Sequence, residues 1–155
     1  MKDNQIKIWV DADGCPNAVK EILFRAANRA KIPIILVANR YLTIPKSNYI
    51  KIITVPSGFD QADNEIVKQL HEGDLVITSD IPLASQVIDK KGHVLTPSGQ
   101  ELSKENINYR LSIRNFMDSL RSSGVETKGD QKFSQSDRKN FADNFDRILH
   151  HLISN

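Results

Sequence analysis

The chain has 155 residues, 39% of them in the apolar AVILMFWYC set and 26% charged, a profile that fits one globular domain and excludes a largely disordered or collagen-like chain. The formal net charge of +2 is too small for the field of a dedicated DNA-coating protein, although local patches leave nucleic acid open as a partner. No apolar run approaches the roughly 18 residues that span a bilayer, and Met1 to Ile6 does not read as a signal peptide. The expectation is therefore a cytoplasmic protein with no membrane partner. One cysteine, Cys15, excludes an internal disulfide, and with four scattered histidines it does not make a Cys-rich zinc site.

In chain order, Ile6, Ile8 and Val10 with Trp9 predict a short strand buried on both faces. A turn over Asp11 to Cys15 follows, and Pro16 stands where a helix begins, a place that needs no amide partner. From Val19, the residues Ile22, Leu23, Ala26, Ala27 and Ala30 keep helical spacing. Ile34 to Ala38 is a second strand, and 39–48 is a polar loop. Ile50, Ile52, Ile53 and Val55 mark a third strand, ended by Pro56 and Gly58. A helix from Asp60 to His71 carries Ala62, Ile66, Val67 and Leu70 on its inner face and is closed by Gly73. Leu75 to Thr78 is a fourth strand, Pro82 to Lys91 a short helix, and His93 to Leu95 a fifth strand. This alternation predicts an α/β three-layer sandwich with a mostly parallel sheet of about five strands.

The remainder reads as helical. Ser103 caps a helix carrying Ile107, Leu111, Phe116, Met117 and Leu120. Ser122 to Gln135 is rich in Ser, Gly and Lys and reads as a loop or linker within a single domain. Ser134 and Asp137 form a capping box for a C-terminal helix over 136–153, whose apolar face is Phe141, Phe145, Ile148, Leu149 and Leu152. An isolated helix of this length is marginal in water, so that face must dock on the body or pair with a second chain in a homodimer.

The acids carry the functional signal. Asp11 and Asp13 follow the first strand, Asp80 follows the fourth, and Asp60 and Asp63 open the helix after the third. In a parallel sheet these places share the carboxyl edge, where open α/β sheets bind ligands at the reversal of strand order. Asp63 lies on the same helical face as Ile66 and Leu70, so it points toward the crevice. With the strands ordered three-two-one-four-five, Asp11, Asp13, Asp63 and Asp80 share one pocket. Clustered carboxylates repel one another unless protonated or bridged by a cation. Hard divalent ions, Mg²⁺ or Mn²⁺, suit oxygen ligands, and such ions catalyse phosphodiester hydrolysis. The plainer alternative is capping, by Asp13 for the helix at Pro16 and by Asp60 for its own helix. It explains each acid singly better than it explains four at one edge.

The run from Ile8 to Pro16, IWVDADGCP, resembles the opening of the YaiI/YqxD family of bacterial proteins. Gly58 to Val67, Gly73 to Ala84 and Asn106 to Gly124 continue the resemblance in order along nearly the whole chain. By similarity that family belongs among the PIN-like metal-dependent nucleases, which implies a PIN-like fold and an acidic site for Mg²⁺ or Mn²⁺. The resemblance maps the catalytic acids onto Asp11, Asp63 and Asp80, with Asp13 an additional metal ligand. Nucleases of this kind often carry a further acid shortly after the position of Asp80. Here Ile81, Pro82 and Leu83 follow, a departure that bears on two-metal catalysis.

Other readings compete with this one. Val10-Asp11-Ala12-Asp13-Gly14 also resembles the start of haloacid dehalogenase-type phosphatases, in which the first Asp is a nucleophile and the second a general acid. Those enzymes need a later lysine and a further acid pair after a strand, whereas Asp74 precedes its strand. Cys15 near a helix N-terminus is a weaker nucleophile candidate, since free cysteine is more often a small buried hydrophobe. His150 and His151 are helical neighbours that point about 100° apart and do not chelate together. Arg40, Lys46, Ser79, Arg110 and Arg114 are the candidate substrate-binding groups, for single-stranded or structured RNA. Arg110 and Arg114 either act together, four residues apart, or form the solvated side of their helix. A non-catalytic RNA-binding module is the remaining class; with one Trp, three Tyr and six Phe, base-stacking motifs are sparse.

Overall fold

The computed structural model describes residues 5–58, 60–124 and 132–154. Its elements are β1 (Ile8–Asp11), a 3₁₀ turn (Ala12–Gly14), α1 (Asn17–Ala30), β2 (Ile34–Ala38), β3 (Ile50–Thr54), α2 (Gln61–Gln69), β4 (Leu75–Ile77), α3 (Ile81–Asp89), β5 (His93–Leu95), β6 (Glu101–Leu102), α4 (Lys104–Ser122) and α5 (Gln135–Ile153). The sheet has six strands in the order β3-β2-β1-β4-β5-β6. The first five are parallel, and β6 pairs antiparallel with β5 through Val94–Leu102 and Leu95–Glu101. The expected sheet of about five strands thus gains an edge strand of two residues, too short to leave an alternation in the sequence.

The pleat sorts alternate residues to opposite faces. Ile8 and Val10, Ile34, Leu36 and Ala38, Leu75 and Ile77, and Leu95 pack with α1 and α5. Trp9, Ile35 and Val37, Val76, and Val94 pack with α2, α3 and the start of α4. The result is three layers, helices on both faces of one sheet. The apolar face of α5 is buried as expected: Phe141, Phe145, Ile148, Leu149 and Leu152 join the α1-side core, and the two Phe rings stack 5.4 Å apart. Its capping box is present, with Ser134 N–H donating to Asp137 and Asp137 N–H donating to Ser134 Oγ. The turn after β5 seats α5. Gly99 lies against the Asn140–Phe141 backbone, and Asn144 Nδ2 donates to the Gly99 carbonyl at 2.6 Å.

One expectation changes. Helix α4 runs to Ser122, where the expected linker begins, and residues 125–131 of that linker lie outside the described residues. Along α4, Ile107 is buried and Leu111 packs on the core, but Phe116 is 60% exposed. Its helical spacing is that of a core residue, yet the helix outruns the surface it packs on.

A polar anchor holds the opposite, amino edge of the sheet. Asp74, just before β4, is buried and accepts from Lys7 N–H, His71 N–H and Trp9 Nε1. A buried carboxylate is tolerated only when its lone pairs are met this way. Its position before the strand takes it away from the carboxyl edge.

Candidate functional site

Strand parity decides where Asp11 points. It continues the Trp9 row, and so faces the layer of α2 and α3. Parallel pairing of Val10 with Ile77 brings the end of β1 beside the end of β4, where the strand order reverses. Asp80 sits at the start of α3 and Asp63 in the first turn of α2. One carboxylate oxygen from each of Asp11, Asp63 and Asp80 lies within 4.8 Å of the other two. All three side chains are half-buried.

Thr78 joins two of them. Its hydroxyl donates to Asp11 Oδ2 at 2.8 Å and accepts from Asp80 N–H at 3.0 Å. Asp80 also accepts from Leu83 N–H at 3.0 Å through Oδ1. It therefore caps α3 and contributes to the cluster at once, because a carboxylate has a second oxygen.

The electrostatics follow from the crowding. Burial raises the pKa of the Asp11 carboxyl above its usual range; the Thr78 hydrogen bond opposes this, while the charges of Asp80 and Asp13 add to it. Asp63 is pushed up to about 7, first by burial and then by the charge of Asp80, a hydrogen bond with Asp80, and the charges of Asp11 and Asp60. Near neutral pH the three carboxyl groups thus do not all stay ionised, and Asp63 is the one most readily protonated. Three hard oxygen donors in one crevice, with a proton where a positive charge is needed, suit a small divalent cation.

The chain matches the model of the uncharacterized YaiI/YqxD family over residues 9–151. It belongs to that family. Among its relatives are UPF0178 proteins from Pseudoalteromonas translucida, 59% identical over 93% of this chain and 96% of the relative, and from Colwellia psychrerythraea, 58% identical over 93% and 95%. Another, from Hahella chejuensis, is 56% identical over 93% and 96%. No solved structure shows a significant match.

In this YaiI/YqxD protein the other sequence candidates fall elsewhere. Asp13, in the 3₁₀ turn, does not join the group of three acids. It accepts from Asn39 N–H at 2.9 Å and lies 4.0 Å from Arg40 Nε. It does not cap α1, whose N-cap is Pro16, and Asp60 makes no side-chain cap to α2. Arg40, Lys46 and Ser79 are exposed; Arg40 and Ser79 stand at the carboxyl edge, and Lys46 lies in the loop that Arg40 opens. Arg110 is half-buried on α4, and Arg114 pairs with Asp118 at 3.3 Å. Cys15 is buried, and burial pushes its thiol up to about 12, so no thiolate is available. His150 and His151 are exposed on α5. Thr78, which hydrogen-bonds both Asp11 and Asp80, is the residue of the cluster that the sequence reading passed over. Its signal was present: a threonine two residues past an apolar strand position and two before Asp80, on the same strand face as Asp11.

Among the described residues, no helix is long and apolar enough to cross a membrane.

Proposed function

We propose that this protein is a divalent-metal-dependent nuclease of PIN-like type that hydrolyses phosphodiester bonds in RNA at the crevice between β1 and β4. The observation that carries the reading is the convergence of Asp11, Asp63 and Asp80 from three separate elements at the switch point of the sheet. When bound, Mg²⁺ or Mn²⁺ supplies an activated water and neutralises the charge that develops on the phosphate. The chain's own part is to hold three carboxylate oxygens in place. Thr78 fixes the Asp11 side chain, and the capping bond to Leu83 N–H fixes Asp80. Asp63 would hold such an ion only in its deprotonated form, so its raised carboxyl makes binding pH-dependent. Arg40, Lys46, Ser79, Arg110 and Arg114 are the groups available to meet phosphates.

The donor set suits one ion rather than two. Ile81, Pro82 and Leu83 form the first turn of α3, Leu83 is fully buried, and no further carboxylate follows Asp80 there. The phosphatase alternative is weakened because Asp13, its general acid, has its oxygens engaged by Asn39 and Arg40.

The test is cleavage of labelled single-stranded RNA by the full chain with Mn²⁺ or Mg²⁺, against a chelator control and Asp80→Asn. Asn retains the cap and removes a ligand charge, so the variant should fold normally and lose activity by orders of magnitude. RNA binding without turnover in either ion would replace the nuclease with the non-catalytic module.

A further inference from the structure

The loop between β2 and β3 is pinned along its length yet turns one large aromatic outward. At its start, Asn39 N–H is held by Asp13. In the middle, Leu42 and Ile44 pack against the α1-side core. Toward its end, Ser47 Oγ donates to Asn28 Oδ1 at 2.6 Å and accepts from Tyr49 N–H. Between the first two of these anchors stand Arg40, its side chain 68% exposed, and Tyr41, 76% exposed. Burying a tyrosine ring is favourable, and the loop does turn Leu42 and Ile44 toward the core while Tyr41 faces outward. The fold therefore does not account for the outward ring.

Its position is informative. Arg40 lies 4.0 Å from Asp13, and the charge of Asp13 acts on Asp11. One side chain thus separates Arg40 from the acidic cluster. The Arg40–Asp13 contact is at the long limit for an ion pair and mostly exposed, so a phosphate with better geometry can replace it. Next along the loop, a cleft of about 350 Å³ opens between α1 and the loop, walled by Asn17, Lys20, Glu21, Phe24, Leu42 and Thr43.

We propose that this loop binds unpaired nucleotides beside the acidic site, with Tyr41 stacking on a base and Arg40 pairing with an adjacent phosphate. The identity of the ligand rests on the nuclease reading; the placement rests on the loop itself. A duplex keeps its bases stacked on one another and offers no free face, so the site selects single strands. Stacking is indifferent to base identity, so little sequence preference is expected.

The test is fluorescence anisotropy with a labelled 12-nucleotide single-stranded RNA, the matching DNA, and the RNA duplex, all in chelator so that nothing is cleaved. Tyr41→Ala should weaken single-strand binding roughly ten-fold, and Tyr41→Phe should remain within about two-fold of wild type, since the ring does the work. Arg40→Ala should reduce the salt dependence of binding by about 0.7 in log–log slope, the value of one lost phosphate contact on a single strand. RNA and DNA single strands affected alike identify the base and phosphate as the recognised chemistry; an effect on RNA alone adds the 2′-hydroxyl. The proposal is overturned if wild type binds neither single strand, if Tyr41→Ala binds as wild type does, or if Tyr41→Ala weakens duplex and single strand equally. Tyr41 is exposed, so the variants fold, which circular dichroism checks. The Mn²⁺ response of the melting temperature reports on the acidic site separately. Its loss would end the nuclease reading while leaving binding at Tyr41 to stand or fall on the anisotropy.

Discussion

Replacing Asp63 by Asn tests the electrostatics of the site without reference to any activity. In the folded, metal-free protein burial and the neighbouring Asp80 push the Asp63 carboxyl up to about 7, from an ordinary value of 3.8. Between those pH values the folded state holds a proton that the unfolded chain has released, so stability falls as pH rises from about 4 to about 7. Unscreened, that displacement corresponds to about 4 kcal/mol. The side chain is about half open to water, and screening reduces the figure to roughly 1–2 kcal/mol. Asn removes the charge and the pH dependence with it. It also removes a negative charge from the first turn of α2, which costs about 0.3–1 kcal/mol. The net gain at pH 8 is about 1 kcal/mol, or roughly 2–4 °C in melting temperature for a chain of this size. The gain should shrink steadily on acidification and vanish below about pH 3, where Asp63 is protonated in both states. Saturating Mn²⁺ reverses the order. A ligand at about 100 times its Kd stabilises wild type by about 2.7 kcal/mol, and the variant should respond far less. Because the ion displaces the Asp63 proton, the wild-type response should also be larger at pH 8 than at pH 6. Differential scanning fluorimetry across pH, with and without Mn²⁺, measures all of these. Asp63→Asn no more stable than wild type at pH 8, together with equal Mn²⁺ shifts in both proteins, would refute the clustered-carboxylate account.

Two further predictions concern the scaffold. Gly99→Ala forces a side chain onto a residue at φ +92°, with its Cβ 2.5 Å from the Asn140 carbonyl carbon, so α5 must shift; urea denaturation should show a loss of about 2–4 kcal/mol, and an unchanged midpoint would contradict the seating of α5 on that turn. Cys15, buried with its thiol raised to about 12, should resist iodoacetamide at pH 8 in the native protein and react fully in urea; rapid native alkylation followed by mass spectrometry would show the thiol to be accessible after all.

Much of the architecture is legible in the chain because local patterns encode it. The alternation of apolar strands with amphipathic helices is set by residue spacing, and it placed Asp11, Asp63 and Asp80 at one edge once the strand order was assumed. The capping boxes at Ser103 and Ser134 are local for the same reason: Ser103 N–H meets Asn106 Oδ1 three residues away, and Ser134 meets Asp137. Other features depend on which distant segments meet. Asp11 and Asp13 look equivalent as neighbours after a strand. Only the docked β2–β3 loop, by offering Asn39 N–H and Arg40, draws Asp13 off while Asp11 turns to Thr78. Asp74 looks misplaced for catalysis, and the packed sheet shows why it is there: it satisfies Trp9, 65 residues away in sequence. Phe116 carries the spacing of a core residue, but whether a surface lies opposite depends on how far α3 extends along α4. A sequence specifies each element's faces and ends through near-neighbour geometry. Which face finds a partner, and which carboxylates come close enough to share a proton or an ion, is settled only when the sheet order brings remote strand ends together.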